Sequence, residues 1–239
     1  MPTRPPLLIL ASGSPRRQRL LSALQVSFVV APSGVDEAVA PALEPAVVVR
    51  QLARAKAAAV AAARRDGLVI GCDTVVVRDG RLIGKPRDAA AARATLRYLR
   101  GVPHQVLTGL TVIDPATDHA YHSAVTTTVV MTDYDDAMIA RYVATGEPMD
   151  KAGSYAAQGE GARLIAAIDG CYTNVVGLPL CELARLLRLA GLPVTAEPVC
   201  TLPDGRPCPR LDGAAARRPS GIPPAVRASE PIGDGHAMR

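Results

Sequence analysis

Two long β-branched runs, "HQVLTGLTVID" (104–114) and "HSAVTTTVVMT" (122–132), stand only seven residues apart. A parallel pair needs a crossover of about a dozen residues or more, and the intervening "PATDHAY" reads as a turn. The two runs therefore predict an antiparallel meander, and their Thr and Val content suits strands that pair in a sheet. Upstream, short apolar runs alternate with helical patterns. "LLILAS" (7–12) predicts a buried strand, residues 14–25 a helix and "VSFVVAP" (26–32) a second strand. An Ala-rich helix follows near 45–65, stopped by Gly67, and then the strand "LVIGCDTVVV" (68–77). "RDGRLIGKPRD" (78–88) predicts a hairpin or tight loop, and Asp88 caps a helix over 89–100 that Gly101 ends. Asp133 is expected to cap a helix over 134–145, ahead of a strand in "RLIAAIDG" and an amphipathic helix in "GLPLCELARLLRLAG". Alternation plus a meander predicts an α/β fold with a mixed sheet.

With no Trp and one Phe among 239 residues, the core must be built from Val, Leu, Ile and Ala. A net charge of +5 suits an anionic ligand without demanding nucleic acid, and 3% aromatic residues argue against a base-stacking surface. The cysteines (Cys72, Cys171, Cys181, Cys200 and Cys208) form no C-x-x-C pair and match no zinc spacing, so reduced thiols in the cytoplasm are expected. No run reaches the length of a membrane span, so no membrane partner is expected. From Pro198 the chain turns rich in Pro, Gly and Arg and loses hydrophobic periodicity. The expected division is one domain over 1–197 and a disordered tail over 198–239.

Three segments carry candidate chemistry. In "ASGSPRRQRLL" (11–21), Ser14 and Pro15 read as a helix start, yet Arg16 and Arg17 follow at the positive end of the helix dipole. A bound anion would reverse the local sign, and the small-residue turn from Ser12 lets an oxyanion approach backbone N–H groups. In "GCDTVVV" (71–77), Asp73 interrupts an apolar strand, where a carboxylate is costly unless paired, metal-bound or at an exposed strand end. Lys85 follows in a Gly-Lys-Pro turn, and Asp36 and Glu37 offer further carboxylates; a hard cation such as Mg²⁺ needs only one or two of these when phosphate supplies the rest. The third segment, "TGEPMDKAGSYAAQGEGARLI" (145–165), is irregular and polar, as ligand loops are, and Gln158 offers both an amide donor and an acceptor for a base. The four scattered histidines make poor catalytic candidates. These residues suit a metal-assisted phosphate-handling enzyme or a nucleotide binder.

"LASGSPRRQRLL", "GCDTVVV" with "IGKPRD", "VLTGLTV" and "TGEPMDKAGSYAAQGEGA" occur in an order that resembles the Maf family of nucleotide pyrophosphatases, over roughly residues 6–192. The resemblance implies an elongated α/β fold with a central cleft, related to inosine triphosphate pyrophosphatases. It implies hydrolysis between the α and β phosphates with a divalent metal, Mg²⁺ or Mn²⁺, and a possible homodimer. It implies Asp73 as proton acceptor, Lys56 (in "LARAKA") and Lys85 on the phosphates, and Glu37 beside Asp73 at the metal. Ser12, Arg16, Arg17, Thr74 and Gln158 would bind substrate. Arg16, Thr74 and Gln158 match the branch that takes dTTP and UTP; the 7-methyl-GTP branch has Trp, Gln and Glu there. A nucleotide-binding regulator of cell division and a 7-methyl-GTP pyrophosphatase are the competing readings.

Overall fold

The β-branched runs are strands of one sheet. The computed structural model describes residues 6–36, 43–196, 200–201 and 226–228. Its eight-stranded sheet has the order β2-β1-β3-β5-β6-β7, with β4 attached to β3 and β8 to β6. Strand β1 (Leu8–Leu10) pairs in parallel with both β2 (Phe28–Val30) and β3 (Leu68–Arg78). The strands β3, β5 (Pro103–Asp114), β6 (His119–Met131) and β7 (Ile165–Asp169) are antiparallel in turn, so the sheet is mixed, as the meander predicted. Asp79 and Gly80 join β3 to β4 (Arg81–Ile83), both with positive φ, as a tight two-residue hairpin requires.

The central strands are buried on both faces, which is why their sequences read as continuous apolar runs. Leu8 and Leu10 pack with Leu21 of α1 (Pro15–Ser22) and with Leu183 and Leu187 of α6 (Leu180–Leu189). Ile9 and Val69 face the other way, onto Ala57 and Val60 of α2 (Pro45–Ala61). At the far end, α3 (Ala89–Leu99) and α4 (Asp136–Ala144) close over Val129 and Met131.

Two glycines set how closely α2 lies on the sheet. A Cβ on Gly71 of β3 would sit 2.0 Å from the Ala53 carbonyl oxygen, and one on Gly109 of β5 would sit 2.1 Å from that of Val49. The helix backbone therefore rests directly on the strands, along a stripe of Val49, Ala53 and Ala57.

Several boundaries differ from the expectation. The first helix ends at Ser22, and β2 keeps only three residues. Asp88 caps α3 through Ala91 N–H, as expected, but α4 is capped by Asp135, whose carboxylate accepts from Met138 N–H at 2.7 Å. The cap moves because Thr132 is still tied down: its N–H donates to the Leu164 carbonyl and its own carbonyl accepts from Gly101 N–H. The short helix α5 (Tyr172–Val176) and the 3-10 turns between Glu147 and Leu164 had no counterpart in the sequence reading. Most of the expected tail lies outside the described residues. Within it, Cys200 is buried against Cys171 and Val125, and β8 (Val226–Arg227) pairs with His119 and Ala120. Among the described residues, no helix is long and apolar enough to cross a membrane.

Candidate active site

The cleft exists because β3 loses a neighbour. On one edge β3 pairs with β1 only as far as Ile70 and with β4 only from Val76. No described strand covers Gly71–Val75 on that side. Adjacent residues of a strand point to opposite faces, but at an open edge both reach the same space. Asp73 and Thr74 therefore both line one cavity of about 420 Å³.

Ser12, Arg16, Arg17, Lys56, Asp73, Thr74, Lys85 and Gln158 all line this cleft. Glu37, the other expected metal ligand, lies outside the described residues. Asp73 is nearly buried, and its Oδ1 accepts a 2.6 Å bond from Lys56 Nζ, whose side chain is as deeply buried. The Gly71 and Gly109 contacts bring α2 close enough for that pair to form. Asp73 Oδ2 has no hydrogen-bond partner among the described residues, so one oxygen of a fixed carboxylate remains available in the cleft. Next to it, burial pushes the Cys72 thiol above its ordinary pKa despite the pull of Arg17 and Lys56, which keeps this cysteine from serving as a thiolate.

The two arginines at the start of α1 have different roles. Ser14 caps the helix through Arg17 N–H and Pro15 takes the first helical position, as the sequence predicted. Arg17 is held through all three of its nitrogens: Nε donates to the Gly177 carbonyl at 2.9 Å, Nη1 to Ser12 Oγ at 3.1 Å and Nη2 to Thr74 Oγ1 at 3.2 Å. Thr74 is braced in turn by Thr108 at 2.8 Å, and the Thr108 hydroxyl reaches the Asn174 carbonyl of α5. The Asn174 amide, fully buried, donates to the Val106 carbonyl and to Thr127 Oγ1, which fixes α5 and Gly177 against the sheet. Arg16 makes one hydrogen bond among the described residues, from Nη1 to Asp150 Oδ2 at 2.8 Å. The protein itself supplies a counter-charge for Arg16, in addition to any that a bound anion would bring.

The irregular segment forms the opposite wall. Glu147 accepts Gly161 N–H at 2.9 Å, and Tyr142 Oη accepts Ala156 N–H at 3.1 Å. Gly153, at φ 73°, donates to the Gly84 carbonyl, tying this wall to the hairpin that carries Lys85. Tyr155 lines the cleft from beneath, and its hydroxyl meets His104 Nε2 at 2.6 Å. Burial, and then the charge of Arg78, push the His104 pKa down to about 4, so this imidazole is a neutral support below the wall. Asp150 is held by two cations. Burial opposes its charge, but hydrogen bonds from Lys151 and Arg16 and their charges outweigh it, and the pKa falls to about 2. Sequence reasoning had not singled out Asp150, Lys151 or Gly177. The first two sit in the quoted 145–165 segment, where an Asp-Lys pair in an aperiodic run was the available signal; a carbonyl acceptor such as Gly177 leaves none.

Among the described residues, five cationic side chains (Arg16, Arg17, Lys56, Lys85, Lys151) thus face two carboxylates in one cleft. A family model described as Maf-like protein matches residues 7–190. The chain belongs to the Maf family. It is 50% identical over 184 residues to a dTTP/UTP pyrophosphatase of Pelotomaculum thermopropionicum, covering 77% of this chain and 96% of that one. It is 48% identical over 187 residues to a dTTP/UTP pyrophosphatase of Moorella thermoacetica, covering 78% and 96%. Among solved structures it is similar to a dITP/XTP pyrophosphatase of Mycobacterium abscessus (TM-score 0.37, 13% identity, 54% of this chain and 75% of that one). Another is the Ham1 protein of Staphylococcus aureus (TM-score 0.39, 16% identity, 53% and 72%). The Maf match stops short of Cys200 and β8, so these pack onto the matched region from beyond it.

Proposed function

We propose that the protein is a nucleoside triphosphate pyrophosphatase that hydrolyses dTTP and UTP to the monophosphate and pyrophosphate. The observation that carries this reading is Asp73: a carboxylate fixed by Lys56 at an open sheet edge, with one oxygen available, inside a cleft otherwise dominated by cations. A pure anion site has no use for that carboxylate; a hydrolytic one does. The relatives named dTTP/UTP pyrophosphatase, matched over nearly their whole length, support the substrate class.

In the proposed reaction a water attacks the α-phosphorus. A new P–O bond forms, the bond from the α-phosphorus to the bridging oxygen breaks, and the electron pair leaves with pyrophosphate. Asp73 accepts the water's proton. Lys56 holds Asp73 in place and, with Lys85 and Arg17, offsets charge building on the leaving group. Arg16, Thr74 and Gln158 face the nucleoside and select the base.

A divalent cation suits these residues. Asp73 is a hard oxygen donor, and a Mg²⁺ or Mn²⁺ ion takes such a donor together with substrate phosphate oxygens and water. Asp73 is the expected ligand among the described residues, and Glu37, the other, lies outside them; substrate phosphate oxygens and water would fill the remaining positions. When bound, the ion would neutralise phosphate charge and acidify a nearby water.

The deciding experiment is pyrophosphate release with Mg²⁺ or Mn²⁺ across dTTP, UTP, CTP, GTP and 7-methyl-GTP, with Asp73→Asn alongside. Release from dTTP and UTP that the variant loses is expected. Tight nucleotide binding without release from any of the five would overturn the reading in favour of a nucleotide sensor.

A further inference from the structure

Arg16 and Arg17 are neighbours in sequence but differ in how many of their donors are committed. Each nitrogen of Arg17 donates to a protein oxygen, which commits three of its five N–H groups and makes its guanidinium a fixed part of the wall. Arg16 is held at Nη1 alone, and its remaining N–H groups have no partner among the described residues. A planar guanidinium gripped at one corner still presents donors in a fixed direction. The grip comes from Asp150, which does not swing freely. Its Oδ1 accepts Lys151 Nζ at 2.5 Å, and that ammonium also donates to the Glu147 carbonyl at 2.5 Å. The Glu147 carboxylate in turn accepts Gly161 N–H, across the turn that carries Gln158. One chain of charge-assisted contacts therefore links Arg16 on α1 to the backbone around Gln158.

We propose that Asp150 is a positioning residue that aims Arg16 at the base and thereby sets the preference for uracil and thymine over cytosine. The proposal rests on the reading of Arg16 as a base-selecting residue. Uracil and thymine present a carbonyl oxygen at position 4, where cytosine presents an amino group. An arginine held on this vector donates to the carbonyl and meets the amino group donor against donor. Without Asp150 the side chain regains its rotamers and the distinction fades. Turnover, which belongs to Asp73 on another element, is largely untouched.

The test is steady-state kinetics of pyrophosphate release with UTP and CTP for wild type, Asp150→Asn, Arg16→Ala and the double variant, with folding checked by circular dichroism. Asp150→Asn is expected to raise KM for UTP about tenfold and change kcat less than twofold, cutting the UTP/CTP ratio of kcat/KM about tenfold. Arg16→Ala is expected to lose at least as much discrimination, and the double variant no more than Arg16→Ala alone. If Arg16→Ala abolishes discrimination while Asp150→Asn preserves it, the positioning role is wrong and the Arg16 reading stands. A further loss from Asp150→Asn in the Arg16→Ala background also overturns the role, because Asp150 then acts independently of Arg16. If Arg16→Ala leaves the ratio unchanged, the Arg16 reading fails and takes this proposal with it.

Discussion

Two of the ion pairs in the cleft, Lys56–Asp73 at 2.6 Å and Arg16–Asp150 at 2.8 Å, are of nearly equal length in opposite surroundings. The first joins a 17-residue helix to an 11-residue strand, and its side chains are only 7% and 8% exposed. The second joins a helix start to a 3-10 turn, and its side chains are 25% and 65% exposed. A buried pair must overcome the desolvation of both charges, so it needs a scaffold that holds the geometry without adjustment. An exposed pair contributes little to stability, about 1 kcal/mol or less, and can instead fix where a side chain points. On the proposed reading the protein puts proton transfer on the buried pair and base selection on the exposed one.

The largest expected effect sharpens this contrast. Asp73→Asn should lower kcat for dTTP by about a thousandfold with little change in KM, whereas Asp150→Asn should act on KM; steady-state kinetics on both separates them. If the two variants shift the same parameter, the division between the pairs collapses.

Next comes the scaffold under the buried pair. Gly71→Ala places a methyl group 2.0 Å from the Ala53 carbonyl oxygen, so α2 must lift off the sheet. A loss of about 3 kcal/mol in urea unfolding is expected, with activity falling further than Lys56→Arg alone would cause. Full activity in a folded Gly71→Ala protein would mean that the Lys56–Asp73 geometry is not set by this contact.

His104 tests the support under the irregular wall. Its folded pKa of about 4 lies below the ordinary 6.5. The unfolded chain therefore takes up the proton first as pH falls. The stability that His104 contributes is complete above pH 6.5 and is lost progressively towards pH 4, on the order of 3 kcal/mol in all. His122, also pushed down to about 4 by burial and then by Arg54 and Arg50, adds in the same direction. Urea midpoints at pH 7 and pH 4.5 should show a smaller drop for His104→Gln than for wild type; equal drops would remove His104 from the account.

The smallest effect is on the exposed pair. Asp150 is lowered from 3.8 to about 2, so whatever stability its ion pairs give is present above pH 3.8 and lost as the pH falls towards 2. The stability difference between wild type and Asp150→Asn should be below about 1 kcal/mol at pH 7 and close to zero at pH 2. A large difference at pH 7 would make Asp150 a structural residue and erase the contrast with Asp73.

The regular elements were legible because their signals are local. Ser14-Pro15 starts α1, Asp88 caps α3, and the short gap between the two β-branched runs leaves only an antiparallel return. The cap of α4 was misread by two residues because Asp133 and Asp135 offer the same side chain, and what chooses between them is the pairing of Thr132 with Gly101 and Leu164, thirty or so residues away in either direction. The short helix α5 left no periodic pattern. Asn174 holds it in place through bonds to Val106 and Thr127 on two strands.

By itself the sequence determined the α/β alternation, the mixed sheet, and the residue types that gather in the cleft, because propensity, capping and charge are properties of short segments. Only the tertiary structure decided which of those residues meet. Lys56 reaches Asp73 because two glycines on neighbouring strands let α2 approach, and Asp73 and Thr74 share a cavity because, on the edge away from β5, no described strand covers β3 between Ile70 and Val76. The division of labour between Arg16 and Arg17 was decided there too. Their partners, Asp150 and Gly177, lie more than a hundred residues further along the chain, and nothing local to "SPRR" distinguishes one arginine from the next.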